Sequence, residues 1–282
     1  MNIRHDRLLR FIFEEAPVRG QICSINKSWA EALEFHPYPP IVKKLLGELM
    51  VSAALLATNL KEAGKIIIQT QTEGAIKLLV VECDHEFNIR GYAQTNGDIE
   101  SEDFEHLFAK GYLVITLKID RDDQQYQGYV SLNSHSIAQS VEDYLTQSEQ
   151  LDTRLWIAHN ASGLTGFLLQ KLPAEKDDEV MWEHLTKLAE TLTDEELLTL
   201  PHTDVLHRLY HQDPVRIFDP HEVKFNALVS RERMEASLKT LSKDELDAII
   251  EEQGHIKMTC QFTGREEVFH QEDVDALFGE PN

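Results

Sequence analysis

The apolar and polar positions change period several times along the chain, and each change marks a predicted element. Segments 8–13 (Leu-Leu-Arg-Phe-Ile-Phe) and 18–25 read as strands. A short helix over 28–35 follows, ended by the His36-Pro37-Tyr38-Pro39-Pro40 run. Segment 41–59 is apolar on nearly every side, which predicts a long helix buried against a sheet. β-Branched and aromatic runs bounded by Gly, Asp and Asn predict strands at 65–70, 76–82, 87–93, 112–119 and 125–132, the last two joined by a turn at Asp120-Arg121-Asp122-Asp123. A helix at 137–146 and strands at 154–158 and 164–172 complete this part. Most links are too short for parallel crossovers, so the predicted sheet is mostly antiparallel.

Beyond Pro173 the pattern becomes helical. Met181, Leu185, Leu188 and Leu192 stand at spacings of four, three and four and form one apolar stripe, with Trp182 beside it. Thr193 with Glu196 forms a capping box, stapled by Leu192 and Leu197. Short helices on so charged a stretch cannot make a core of their own, and the stripe is expected to lie against the preceding domain. In the tail, Ser242 with Glu245 is a second capping box opening a helix over 243–252 that Gly254 ends. Two strands, 256–262 and 266–270, pair around Thr263-Gly264, and a last helix covers 271–278. The expected fold is α+β: a mostly antiparallel sheet packed on a long buried helix, then a helical linker and a small α+β C-terminal domain. The expected division is 1–173, 174–214 and 215–282.

Charge narrows the function classes. The 282 residues carry a formal net charge of −22. Residues 1–173 hold 16 basic and 23 acidic side chains, and 174–282 hold 11 and 26. Nucleic-acid affinity comes largely from Lys and Arg neutralising phosphates, so this balance argues against it, and anionic membrane surfaces are disfavoured for the same reason. Lys43, Lys44, Glu48 and Asn59 interrupt the longest apolar stretch and make it a buried helix rather than a membrane span. The N-terminus lacks the apolar core of a signal peptide. Cys23, Cys83 and Cys260 are far apart and form no CxxC pair, which fits a reducing compartment. The expected location is the cytoplasm.

Candidate chemistry is sparse. The chain has no GxGxxG, GxxxxGK[ST], HExxH or GxSxG. His207 and His211 stand at i and i+4 on one helix face, a spacing that metals use, but the glutamate of a metalloprotease is missing and no third ligand is evident. They read as a solvated pair. Cys23 and Cys83 read as buried, small apolar residues. Cys260 lies beside a turn and is expected to be more exposed, with His255 and His270 flanking it in sequence.

The order and spacing of the segments resemble one family. The motifs are Phe13-x4-Val18-Arg19-Gly20, the Tyr38-Pro39 entry to the long helix, Arg90-Gly91, Gly111-Tyr112 and Tyr126-Gln127-Gly128. Further on come Glu142-Asp143-Tyr144, Ser148-Glu149-Gln150-Leu151, Gly166-Phe167-Leu168-Leu169-Gln170, Glu195-Glu196-Leu197-Leu198, Leu206-x-Arg208-Leu209-Tyr210-His211 and Ser230-Arg231-Glu232-Arg233. Together they span nearly everything from His5 to Phe278. The chain thereby resembles the heat-shock-protein-thirty-three family, the oxidation-activated bacterial holdase chaperones. The resemblance implies a substrate-binding domain, a metastable helical linker, and a C-terminal redox domain that binds zinc through a Cys-x-Cys pair and a Cys-x-x-Cys pair.

This sequence departs from that pattern at the metal site. After Phe225-Asn226, the first pair falls on Ala227 and Val229 and the second on Cys260 and Thr263, so three of the four ligands are absent. The expected cofactor is therefore none, although the family implies zinc. The expected function is an ATP-independent holdase, active in heat-shock and stress responses and not an enzyme, without thiol–disulfide control. Met181, Trp182, Leu185, Leu188 and Leu192 are the candidate client-binding and linker residues. The expected partners are unfolded or partly folded clients, with a homodimer on activation left open. The alternatives are an adaptor for a folded partner and, more weakly, a metal-dependent enzyme built on His207 and His211.

Overall fold

The structure, a computed structural model, describes residues 6–60, 62–121, 124–133, 135–174, 179–226 and 231–279. The chain divides into two compact units, Met1–Asn226 and Ala227–Asn282.

In the first unit, β1 (Arg7–Phe13), β2 (Val18–Ile25) and α1 (Lys27–Leu33) lead into α2 (Pro40–Ala57), which starts on a proline at its first turn. Then come β3 (Gly64–Gln71), β4 (Ile76–Asp84), β5 (Asn88–Thr95), the short α3 (Phe104–Leu107), β6 (Tyr112–Ile119) and β7 (Gln124–Ser131). Helix α4 (Ile137–Tyr144) runs into a π turn over Leu145–Glu149, and β8 (Thr153–Asn160) and β9 (Gly163–Lys171) follow. Three short helices come next: α5 (Glu179–Ala189), α6 (Asp194–Thr199) and α7 (His202–Tyr210). Three short strands, β10 (Val215–Ile217), β11 (His221–Glu222) and β12 (Lys224–Phe225), close the unit.

The pattern predicts one sheet; the structure has two, each of six strands among the described residues. One runs β10-β1-β2-β9-β8, with β11 also on β1; the other runs β12-β5-β4-β3-β6-β7. All pairings are antiparallel except that of β12 with β5. The reason for two sheets is α2. Its all-round apolar surface needs cover on both sides, and it packs against β2 and β9 of one sheet and β3, β4 and β5 of the other. At Gly166 of β9 a Cβ would fall 2.3 Å from Val51 Cγ1, so glycine permits the close approach of α2. Cys23 and Cys83 are fully buried in this core, and burial pushes both thiols far above their usual range.

The first unit extends past the expected boundary at 214. β10 pairs with β1 from Phe11↔Ile217 to Phe13↔Val215, and β12 pairs with β5, so the segment through Asn226 belongs with the sheets rather than with the tail.

The second unit contains α8 (Arg231–Leu238), α9 (Lys243–Gln253), the hairpin β13 (Ile256–Thr259) and β14 (Glu266–Phe269), and α10 (Gln271–Phe278). Its small core gathers Met234, Leu238, Leu246, Ile256, Cys260, Phe269 and Val274. The Ser242–Glu245 capping box forms as expected, and Gly254 closes α9 with φ 82°. A charge network fastens the surface of this unit. Arg231 lies over the Phe269 ring at 4.5 Å and bridges Glu235, Glu267 and Asp273, while Lys243 bridges Asp247 and Asp275.

The carboxyls in this network set an acid limit. The His270 N–H and then Arg231 hold Asp273 below the usual aspartate range, and Lys243 and Gln271 do the same for Asp275. A carboxyl with a depressed native pKa contributes stability above its unfolded value, near pH 4, and loses it as the pH falls through the native value. Hydrogen exchange of 231–279, corrected for intrinsic rates, is therefore expected to lose protection below about pH 4. Undiminished protection at pH 3 would contradict this.

Candidate functional site

The β1-β2-β9-β8 sheet has two apolar faces. Leu8, Cys23, Ile25, Leu164 and Leu168 turn toward α2. Leu9, Phe11, Phe13, Ile22, Phe167 and Leu169 belong to a separate cluster on the other face. This second face is unusually aromatic. Phe11 stacks on Phe167 with ring centroids 6.0 Å apart and meets Phe13 edge-on at 5.7 Å, while Trp156 lies 5.6 Å from Phe167. Gly20, opposite Phe11 across the strands, makes room for that ring; a Cβ there would lie 2.1 Å from Phe11 Cζ.

Helices α5, α6 and α7 cover this face. Trp182 and Leu185 of the predicted stripe are buried in the cluster, and Met181, Leu188 and Leu192 pack against it partly buried. The structure thus brings all five stripe residues to one surface. Sequence reading missed the equal contribution of α7, where Val205, Leu206, Leu209 and Tyr210 are all buried and Tyr210 meets Phe13 edge-on at 4.9 Å. The signal was present as the i, i+1, i+4, i+5 spacing of those four residues.

Polar ties also cross this interface. His202 Nε2 lies 2.8 Å from Ser24 Oγ, which is itself 2.9 Å from Thr165 Oγ1. Lys171 Nζ donates to Glu179 at 2.7 Å from the start of α5. Within the cover, the Tyr210 hydroxyl donates to the Leu185 carbonyl at 3.1 Å, His184 lies 3.2 Å from Asp213, and Arg208 pairs with Glu196 and donates to Thr191. The Thr193–Glu196 capping box opens α6 as expected. Each of these ion pairs keeps at least one partner partly in water, which holds its contribution to about 1 kcal/mol. Apolar burial therefore dominates the attachment, at about 1.5–3 kcal/mol for each large side chain, against about 1–2 kcal/mol per residue to order the chain. Those two terms are of similar size and oppose one another.

The other candidate residues are not gathered into a site. The His207 and His211 rings are 6.0 Å apart on the exposed side of α7, and no third His, Cys, Asp or Glu joins them among the described residues. Cys260 is buried rather than exposed as its place beside a turn suggests, because its side chain turns inward to the core that holds Phe269 and Val274. The turn itself is made by backbone: the Thr263 and Gly264 N–H groups donate to the Cys260 carbonyl, and Thr263 Oγ1 accepts from the Arg265 N–H. His255 and His270 meet each other at 6.3 Å where the hairpin opens. Five strand rises of about 3.4 Å each separate them from Cys260, roughly 17 Å away. Ala227 and Val229 lie outside the described residues. No helix among the described residues is long and apolar enough to cross a membrane.

The sequence model of one family, described as Hsp33 protein, matches residues 6–270. Close relatives are named 33 kDa chaperonin. That of Shewanella sediminis is 43% identical over 274 residues, covering 97% of this chain and 96% of its own. That of Enterobacter sp. strain 638 is 41% identical over 276 residues, covering 96% and 94%. In fold, the chain is similar to the crystal structure of the 33 kDa chaperonin (heat shock protein 33 homolog) of Thermotoga maritima, with a TM-score of 0.80, 22% identity, and 97% and 98% of the two chains covered.

Proposed function

The chain belongs to the Hsp33 family and is a holdase chaperone, and from that premise we propose a mechanism and a mode of control. The client surface is the aromatic face of Phe11, Phe13 and Phe167 together with the inner sides of α5 and α7. While the cover is docked that surface is closed, and when it lifts, apolar area becomes available to an unfolded chain without any nucleotide. The acidic charge keeps the loaded complex soluble. The single observation that supports this reading is the burial of Trp182 and Leu185 on an aromatic sheet face.

Control by zinc release does not fit the residues present. Tetrahedral zinc needs four N, S or O ligands. Ala227 and Val229 carry no donor, Thr263 Oγ1 accepts a backbone N–H, and Cys260 faces an apolar core. The tail has lost both cysteine pairs, and Cys23 and Cys83, near enough for Cys23 to help raise the Cys83 thiol, are fully buried and so shielded from peroxide. Heat is the proposed trigger, because a cover of three short helices opens before the two-sheet core melts. The proposed site of action is the cytoplasm, with unfolded clients as partners and no role for nucleic acid, membrane or catalysis.

The purified protein is expected to contain no stoichiometric zinc, and a chelator should leave its melting curve unchanged. About one zinc per chain by elemental analysis would overturn this part of the proposal.

A further inference from the structure

The exposed edge of the second sheet carries its own signature. β7 ends the β12-β5-β4-β3-β6-β7 order, so one side of it meets no strand among the described residues. The hydrogen-bond phase fixes which residues face outward. Leu132 N donates to Gly111 O at 2.8 Å, which makes Gly111 and Leu132 a bonded pair one step beyond Tyr112↔Ser131. Bonded pairs alternate along an antiparallel ladder, so Val130, Gly128, Tyr126 and Gln124 bond to β6. The N–H and C=O groups of Gln125, Gln127 and Tyr129 therefore point away from the sheet, and all three residues are exposed.

Soluble proteins usually blunt such an edge with Lys, Pro, a bulge or a cover. β7 reads Gln-Gln-Tyr-Gln-Gly-Tyr-Val-Ser and has no charge and no proline. It pairs with β6 without a register shift. Its two most exposed apolar side chains, Tyr129 at 70% and Tyr126 at 58%, flank the edge on opposite faces of the sheet. Tyr129 meets Tyr112 of β6 edge-on at 6.1 Å, giving an aromatic step beside the open strand.

We propose that this edge receives an extended, uncharged stretch of a non-native polypeptide as an added antiparallel strand. The occupant follows from what the edge offers. Outward amides at every second residue match the backbone of any extended chain and read no side chain. An acidic segment is repelled by a protein of net charge −22, and a basic one, though drawn by that field, finds no carboxylate on β7 itself to hold it there. An uncharged segment forms the ladder and lays alternate side chains beside Tyr129 and Tyr126. The inference rests on the holdase reading and adds to it a second client contact, distinct from the face under α5–α7 and not governed by their docking.

The test uses the full chain and a fluorescent, end-capped decapeptide of alternating Thr and Val. A twin peptide carries N-methyl groups on every residue, so that neither of its edges can donate. Gln127→Pro removes an outward N–H, breaks no β6 bond, and places proline where an edge strand tolerates it. Gln127→Ala keeps that N–H and controls for the side-chain bond to Thr116 Oγ1. Tyr129→Lys is the second variant should the proline disturb folding.

In fluorescence anisotropy the parent should bind the plain peptide about tenfold more tightly than the twin, ~1.4 kcal/mol, the size of one net hydrogen bond. Gln127→Pro and Tyr129→Lys should each lose about as much, and Gln127→Ala less than about twofold. Equal affinity for the two peptides, or for Gln127→Pro and Gln127→Ala, would overturn the proposal. So would a sedimentation shift from dimer to monomer in Gln127→Pro with peptide affinity unchanged, because the occupant would then be a second copy of the chain. A parent that binds peptide but fails to suppress aggregation would count against the holdase reading instead, and the two failures stay distinguishable.

Discussion

Leu185→Asp is expected to leave the protein permanently active as a holdase at temperatures where the parent is quiet. Leu185 is fully buried between α5 and the Phe11–Phe167 face. Truncating such a leucine to alanine already costs about 2–5 kcal/mol, and an unpaired carboxylate in its place costs more. The charge reaches water most cheaply if α5 lifts off, since the polar contacts of that helix at Tyr210, Glu179 and His184 are weaker than the cost of burying a carboxylate. A shift of about 3 kcal/mol changes the docked-to-open ratio by more than a hundredfold, enough to invert a population that is mostly closed. The β1–β9 core keeps its own contacts with α2, so the variant should remain folded. The measurement is client light scattering at low temperature, with near-ultraviolet circular dichroism confirming that the core persists. Leu185→Met, which conserves volume, should behave like the parent to within about 1.5 kcal/mol. A folded Leu185→Asp variant with no gain in activity would show that the face under α5 is not the client surface.

The second large effect concerns where the first unit ends. A chain stopped after Asn226 should fold with the parent's secondary structure, whereas one stopped after Pro214 should aggregate. The missing residues supply β10 and β11 to one side of β1 and β12 to β5. Without them β1, with Leu8-Leu9-Arg10-Phe11-Ile12-Phe13, becomes a bare and strongly apolar edge. The core also loses Val223, which is 2% exposed, and the packing of Phe225. Each large apolar side chain is worth about 1.5–3 kcal/mol on burial, so any soluble fraction should melt about 10 °C or more below the longer chain. Equal melting points for the two would contradict the pairing of 215–225 with the sheets.

What the sequence made legible follows from the range of its signals. The strand at Val18–Ile25 and the helix at Gln271–Phe278 stand at their expected bounds because local composition defines both. The capping boxes at Thr193 and Ser242 form because each closes within four residues. The stripe from Met181 to Leu192 could be read because helical periodicity repeats inside one element. β10, β11 and β12 could not: they are two or three residues long, lie among Pro214 and Pro220, and exist only through pairing with distant β1 and β5. The second sheet was hidden for a related reason, since an all-round apolar helix announces burial but not how many layers bury it. The burial of Cys260 likewise depends on which way a turn faces its core, and the neighbouring Thr263-Gly264 pair does not encode that.

The central claim is that a heat-labile cover closes the client surface and that no thiol switch does. Client light scattering on the full chain, reduced or peroxide-treated, at a low and a raised temperature below the main melt, tests it most directly. The account expects suppression to rise with temperature and to be the same before and after peroxide, in the parent and in Cys260→Ser alike. Suppression that appears only after peroxide, and is lost in Cys260→Ser, would contradict it.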